Sequence, residues 1–260
     1  NRNPTKRGMA AGSDLLVIFY NPTFLDNPTV SSITNGDTQI TNSSYSNGCN
    51  DGYTTLSRDL DQQIDTYPSL MHVFSAGNSG TSNCNYGAGS GWGNVTGGHK
   101  VGKNVICVGN LTQTDALANS SSRGPAEDGR IKPDVCAKGT NVYSTVDVNS
   151  YAYKTGTSMS CPAVAGSITQ LYHVYKDING GQNPNSALIK ATVMNSAEDI
   201  GNPGPDFKHG WGRVNLRRAY LTLLNQQYFS KRLITENFFE RQKPICFLMF
   251  LISIFLKAVS

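Results

Sequence analysis

The residue whose position is best suited to catalysis is a serine at the start of a predicted helix. Gly156 and Thr157 lead into Ser158, and the run Met159–Tyr175 holds good helix formers without a cluster of turn residues. Pro162 lies early in this run, where a helix can dispense with an N–H group. At such a junction the unpaired N–H groups and the helix dipole favour negative charge. The position suits a serine that attacks a carbonyl and generates an oxyanion, although a serine there can also simply cap the helix.

The elements that would position this serine alternate between strands and helices. Apolar residues four apart predict a helix over Thr54–Thr66. Leu70–Phe74 then predicts a strand that leads to Asn78 at its carboxyl end, where parallel α/β sheets bind ligands. The stretch from Asn21 to Gly52 is polar, and residues 40–46 within it are rich in turn formers and could form a surface loop. Further expected elements are strands at Leu15–Tyr20, Val105–Gly109 and Val142–Val146, and helices at Ala187–Ser196 and Leu216–Leu224.

Charge and cysteine usage narrow the function classes. The net charge is +4, and residues 226–260 carry a large part of it, so the remainder lacks the basic patch that nucleic-acid binding requires. No two of the six cysteines have the C-x-x-C spacing of a zinc site. Cys49 and Cys84 lie in polar loops and could form a disulfide or remain two free thiols. Three further cysteines have apolar neighbours and are expected in the core: Cys107, Cys136 and Cys161.

Several segments resemble, in order, those of the subtilisin-like serine peptidases, or subtilases. Gly-Thr-Ser-Met-Ser-Cys-Pro at residues 156–162 is similar to the nucleophile segment of that family. Ser-Ala-Gly-Asn-Ser-Gly at residues 75–80 is similar to its oxyanion segment. Residues 40–46 resemble the strand that lines the substrate cleft, and residues 209–215 resemble the closing segment. The resemblance covers about residues 8–222.

The resemblance implies a fold and a set of site residues. The fold would be a three-layer α/β arrangement, a mostly parallel sheet with helices on both faces. Ser158 would be the nucleophile of a serine endopeptidase, and Asn78 would donate a hydrogen bond to the oxyanion. The substrate-binding residues, most of which should flank the first specificity pocket, would be Ser44, Tyr45, Ser46, Ser75, Ala76, Gly77 and Thr157.

This sequence departs from the family pattern in places. Ser46 and Lys138 replace a usual glycine and a usual proline. The family's aspartate motif, Asp-Ser/Thr-Gly, and its histidine motif, His-Gly-Thr-His, do not occur. We therefore expect residues 1–225 to be the C-terminal two-thirds of a catalytic domain that is inactive by itself. Residues 226–260 form an apolar and basic tail that matches no part of the family.

Three functional hypotheses stay open on the sequence alone. The chain could be a fragment of an active endopeptidase, or a catalytically dead member that binds extended peptides. It could instead be a hydrolase in which His209, with Asp199 or Asp206, serves Ser158 in the order Ser, Asp, His. One feature argues against the last hypothesis: Ser160 stands where the nucleophile elbow of such hydrolases has glycine.

Cofactors, partners and location follow from the same reading. No cofactor is expected and no metal ligand is assigned, although the resemblance allows calcium. The expected partners are protein or peptide substrates of a monomeric protein, without nucleic acid or membrane. The resemblance implies a secreted protein, although residues 1–4 contain no apolar signal segment.

Overall fold

The computed structural model describes residues 7–18, 27–45, 49, 52–85, 88–147 and 149–235, with only the backbone for helical residues 27–28 and 226–235. The chain divides into two units, residues 1–222 and 223–260. The helices are α1 (Asn27–Gly36), α2 (Thr55–Thr66), α3 (Thr157–Ile178), α4 (Ser186–Ser196) and α5 (Leu216–Thr235). The strands are β1 (Ile40–Ser43), β2 (Met71–Ser75), β3 (Ile106–Leu111), β4 (Val135–Lys138), β5 (Val142–Val146) and β6 (Ser150–Lys154).

A four-stranded parallel sheet organises the first unit. Strands β1 to β4 lie side by side in chain order, and each neighbouring pair is parallel. All residues of β2 and β3 are buried, as expected where helices cover a parallel sheet. Strands β5 and β6 form a separate antiparallel hairpin. Because the strands are parallel, the residues that follow β1 and β2 come together at one edge of the sheet.

Helices α2 and α3 flank this sheet. In α2, Leu60 and Ile64 are buried against Phe74 of β2, whereas Leu56, expected on the same face, is 41% exposed. Helix α3 packs against all four strands of the parallel sheet. These contacts confirm the predicted α/β class, with a parallel sheet between helices.

Two sequence-based expectations for secondary structure are wrong. Residues 15–18 form no strand, and Leu15 is 90% exposed. A strand exists only through hydrogen bonds to a neighbour, and an apolar run does not supply that neighbour. Helix α5 ends eleven residues later than expected, at Thr235 rather than Leu224, and helix α1 lies in a polar stretch for which no element was predicted. The predicted end of the peptidase-like region at residue 225 stays a prediction.

A buried ion network joins the sheet to α4. The carboxylate of Asp134 contacts Lys132 Nζ at 2.6 Å and Lys190 Nζ at 3.4 Å. It also accepts the N–H of Cys107 at 2.7 Å. Burial alone would raise the pKa of Asp134, but the two ammonium groups and this N–H outweigh burial and hold the pKa below its usual value.

Replacing Asp134 by asparagine should therefore be strongly destabilising. The substitution leaves two lysines buried without their counter-charge, which typically costs about 3–5 kcal/mol of the free energy of unfolding. The matched control is Asp128→Asn, which breaks a partly exposed ion pair with Arg130 and should cost less than about 1 kcal/mol. Urea denaturation of both variants checks this, and equal losses would contradict the assignment.

Candidate active site

The candidate site lies where the carboxyl ends of β1 and β2 meet the first turn of α3. Helix α3 begins at Thr157, so Ser158 is its second residue. The residue before the helix, Gly156, has no side chain with which to cap the free N–H groups. The cap comes instead from Asn78, which follows β2. Its Oδ1 accepts the N–H of Thr157 at 3.0 Å and the hydroxyl of Thr157 at 3.1 Å.

These contacts fix the orientation of the Asn78 amide. Its oxygen is occupied by Thr157, and the hydroxyl of Thr157 in turn accepts the N–H of Gly77 at 3.2 Å. Within the described part of the chain, Asn78 Nδ2 donates to no acceptor, and the residue is exposed. A side chain at Gly156 would press against this amide, since an ideal Cβ would lie 3.2 Å from Nδ2. Glycine is thus required beside a free amide donor.

Ser158 is tied to the end of β1 rather than to its own helix. Its Oγ donates to the carbonyl of Ser44 at 3.3 Å, and Ser44 Oγ donates to the carbonyl of Ser158 at 3.1 Å. The carbonyl of Ser158 is available because Pro162, four residues on, has no N–H to offer it. The proline lies inside α3 and not in its first turn, so its role differs from the one expected. Ser158 does not cap the helix.

The remaining predicted substrate residues lie around this junction. Ser75 Oγ donates to the carbonyl of Tyr45 at 3.2 Å, which joins the ends of β1 and β2. Ala76 and Gly77 continue from β2 toward Asn78. The structure thus brings together Ser44, Tyr45, Ser75, Ala76, Gly77 and Thr157. Ser46 lies outside the described residues. The substrate-binding roles of all these residues stay predictions.

None of the four histidines hydrogen-bonds to Ser158. His72 pairs with Thr41 and Gln63, and His173 pairs with Asp177. His209 pairs with Asp206 at 3.3 Å, beside the start of β4, because Trp211 N–H donates to the carbonyl of Asp134.

The position of His209 argues against the hydrolase hypothesis. Ser158 lies beyond the other end of β4, where Gly156 N–H donates to Gly139. Five residue-to-residue steps along the extended strand, roughly 16 Å, separate Asp134 from Gly139. The arrangement therefore does not pair His209 with Ser158.

The sequence did not predict the burial of two ionisable groups near the site. Both lie on the 3₁₀ turn Gly98–Val101, where His99 and Lys100 are only 3% and 2% exposed. The ring of His99 lies 4.6 Å from that of Tyr45 and 5.1 Å from that of Phe74, and neither ring nitrogen has a described partner. Burial, with the charge of Lys100, lowers the pKa of His99 to about 4. A glycine-rich loop gives no sequence signal for such burial.

A disulfide joins the two loops next to the site. Cys49 and Cys84 are bonded, which decides between the two alternatives that the sequence left open. The bond links the segment after Tyr45 to the loop after Asn78. Cys107, Cys136 and Cys161 are free and buried, as expected.

Neither a metal site nor a membrane span is found in the described ranges. There, no three His, Cys, Asp or Glu side chains converge in a way that could hold a metal ion. No helix in those ranges is both long and apolar enough to cross a membrane. The calcium expectation stays a prediction.

Comparison with known proteins places the chain in a family. The model of the subtilase family of peptidases matches residues 1–212. The chain belongs to the subtilase family. Its relatives include a thermophilic serine proteinase of Bacillus sp. (strain AK1), 36% identical over 117 residues, which are 45% of this chain and 25% of that protein. The membrane-bound transcription factor site-1 protease of Mus musculus is 33% identical over 126 residues, 46% of this chain and 12% of that protein.

Solved structures of low identity support the subtilase fold. The maturation protease PagA aligns with a TM-score of 0.62 at 17% identity, covering 81% of this chain and 70% of that one. The self-cleaved protease domain of PatA aligns with a TM-score of 0.59 at 18% identity, covering 76% of this chain and 66% of that one. The segment that this subtilase shares with its curated relatives covers a quarter of their length or less.

The hydroxyl of Thr157 should contribute measurably to stability. Thr157→Val keeps the shape but leaves the buried N–H of Gly77 without its acceptor, which costs about 1–3 kcal/mol. Thr169→Val is the control, because Thr169 Oγ1 bonds only to a carbonyl of its own helix, that of Ala165, and its loss should change stability by less than about 0.5 kcal/mol. Denaturant titration compares the two, and a Thr157→Val variant as stable as wild type would refute this role.

The buried His99 should make the subtilase acid-sensitive. Its pKa falls from an ordinary 6.5 to about 4 in the folded state, so the unfolded state binds the proton first as pH decreases. Above pH 6.5 the ring is mostly neutral in both states. As pH decreases toward 4, the free energy of unfolding should fall by about 3 kcal/mol because of this histidine. His99→Phe should flatten that part of the stability–pH curve, whereas His173→Phe, at an exposed position, should not. Unfolding free energies between pH 4 and 7 test this, and parallel curves for wild type and His99→Phe would contradict it.

Proposed function

We propose that the protein of which this sequence is part is a serine endopeptidase that cleaves proteins or peptides through an acyl-enzyme on Ser158. The observation that carries the proposal is the shared capping arrangement at the start of α3. Thr157 occupies the oxygen of the Asn78 amide. No described residue accepts a hydrogen bond from Asn78 Nδ2, which lies at the same helix end as the Ser158 hydroxyl.

The proposed reaction follows from this geometry. Ser158 Oγ attacks the carbonyl carbon of the scissile peptide bond and gives up its proton to a general base. The carbonyl oxygen becomes an oxyanion that accepts hydrogen bonds from Asn78 Nδ2 and from the Ser158 N–H, which is free in the first turn of α3. The amine leaves with the proton, and water then hydrolyses the acyl-enzyme.

The general base and its orienting carboxylate are proposed to lie in parts of the natural polypeptide that this sequence does not contain. Two observations support this proposal. The family's aspartate and histidine motifs do not occur in the sequence, and no histidine of the chain hydrogen-bonds to Ser158. In the structure, Ser158 Oγ gives its hydrogen bond to the carbonyl of Ser44. A carbonyl cannot accept the proton itself, so this polypeptide alone is expected to be inactive.

The lack of a hydrogen bond between Ser158 and any histidine of the chain favours a second candidate function. If no histidine joins Ser158 in the natural protein, the ends of β1 and β2 would form a cleft that binds extended peptides without cleaving them. Such a cleft binds a peptide mainly through backbone hydrogen bonds and selects side chains by pockets.

The biological setting is proposed from the family. The C5a peptidase of Streptococcus pyogenes, 41% identical over 83 residues that cover 31% of this chain and 7% of that protein, is one relative named for a protein substrate. We propose that this subtilase likewise acts on proteins or peptides, as a secreted monomer. A calcium requirement is proposed on the basis of the family resemblance alone.

The proposal predicts how variants of the full natural polypeptide hydrolyse a peptide substrate. Ser158→Ala should abolish measurable turnover. Asn78→Ala should lower kcat about 10²–10³-fold with little change in KM, the effect measured for the oxyanion-hole asparagine of another member of this family. Ser167→Ala is the matched control, since Ser167 Oγ bonds only within α3, to Ala163, and its activity should match wild type.

Two outcomes would go against this prediction. Full turnover in Ser158→Ala would exclude the serine mechanism. Peptide binding without turnover in the wild-type polypeptide would leave the non-cleaving cleft as the function.

A further inference from the structure

A buried lysine borders the proposed cleft. Lys100, on the 3₁₀ turn Gly98–Val101, is 2% exposed. Its Nζ lies 3.3 Å from the point that a Cβ on Gly77 would occupy, and Ser122 Oγ lies 2.9 Å from the same point. Gly77 directly precedes Asn78, so the ammonium group lies just behind the strand end that carries the proposed oxyanion donor.

No described residue neutralises this ammonium group. The thiols of Cys107 and Cys161 are near enough to influence Lys100, but burial raises the pKa of each to about 12, so both are neutral at pH 7. The neighbouring ring of His99 is neutral as well. The buried carboxylate of Asp134 is held by two other lysines.

An unpaired buried cation is costly and calls for an anion. Burial of Lys100 lowers its pKa, because a low-dielectric interior disfavours the charged form. A carboxylate brought in by another molecule would remove this penalty, because a buried ammonium–carboxylate pair is stable where an isolated ammonium group is not.

The side of Gly77 that a side chain would cover is turned toward Lys100 and Ser122. The N–H of Gly77 donates to Thr157 Oγ1 at 3.2 Å, and its carbonyl accepts the N–H of Ser122 at 2.9 Å. Both polar groups are therefore committed, and φ of +108° keeps residue 77 a glycine. Lys100 Nζ and Ser122 Oγ line this side of the glycine, so a group brought against it lies next to the ammonium group.

We propose that Lys100 is the specificity-determining residue of this site and selects glutamate or aspartate at the substrate position preceding the scissile bond. The inference rests on the proposed function, because Ser75, Ala76 and Gly77 flank the substrate only if the junction is a peptidase cleft. The side-chain carboxylate pairs with the Lys100 ammonium. A neutral amide of the same shape leaves that ammonium unpaired and is disfavoured.

The test uses the full natural polypeptide and four peptides that differ only at the residue before the cleaved bond, which is Glu, Asp, Gln or Leu. We expect kcat/KM for Glu to exceed that for Gln by about 100-fold or more, because a site built for a buried polar contact strongly rejects the analogue that lacks it. In Lys100→Met, the Glu-to-Gln ratio should fall close to 1. Lys100→Arg keeps the cation and should retain a preference for Glu.

The matched control is Lys103→Met, which removes the same charge from the same segment at an exposed position. It should leave the Glu-to-Gln ratio unchanged. The wild-type ratio decides by itself if a Lys100 variant does not fold, since a ratio near 1 overturns the inference. A preference for Glu that persists in folded Lys100→Met also overturns it.

The outcomes separate this inference from the proposed function. Hydrolysis of all four peptides without preference for Glu removes the role of Lys100 and leaves the peptidase function intact. Failure to hydrolyse any peptide removes the peptidase function, and the inference about Lys100 falls with it.

Discussion

The arrangement of the site depends on one side chain that caps a helix from a neighbouring strand. Helix α3 begins after a glycine, so it cannot cap itself, and Asn78 supplies the missing acceptor from the end of β2. The interaction fixes three things together. It satisfies the first N–H of the helix, it orients the amide so that its nitrogen faces outward, and it holds β2 against the residue before Ser158. The geometry that stabilises the fold is therefore the geometry that catalysis would use.

A proline and a serine complete this junction. Because Pro162 has no N–H, the carbonyl of Ser158 is left for Ser44, and the two serines exchange hydrogen bonds across the end of β1. Around this junction the buried ionisable groups are mostly neutral or paired. His99 and the thiols of Cys107 and Cys161 are kept neutral by burial. Lys100 has no charged partner among the described residues, so it stands out as a candidate for ligand recognition.

The sequence predicted those features that local pattern determines. The helix α2 and the buried strands β2 and β3 follow from periodicity and apolar runs, and Ser158 and Asn78 come together because parallel strands end at one edge of a sheet. Features that depend on tertiary contact were not predictable. Residues 15–18, the described part of an apolar run, form no strand, and Lys100 lies in a loop whose composition suggests exposure. The capping role of Asn78 also escaped prediction, because no local rule connects residues 78 and 157.

The most direct test of the account is the site of covalent labelling by a fluorophosphonate, a probe that reacts only with an activated serine. The full natural polypeptide would be labelled, digested and analysed by mass spectrometry. The account predicts one phosphonylated residue, Ser158, and no adduct on the neighbouring Ser160 or on Ser44. An adduct on a different serine, or a polypeptide that stays unlabelled, would contradict the claim that the junction of β1, β2 and α3 holds the nucleophile of a peptidase.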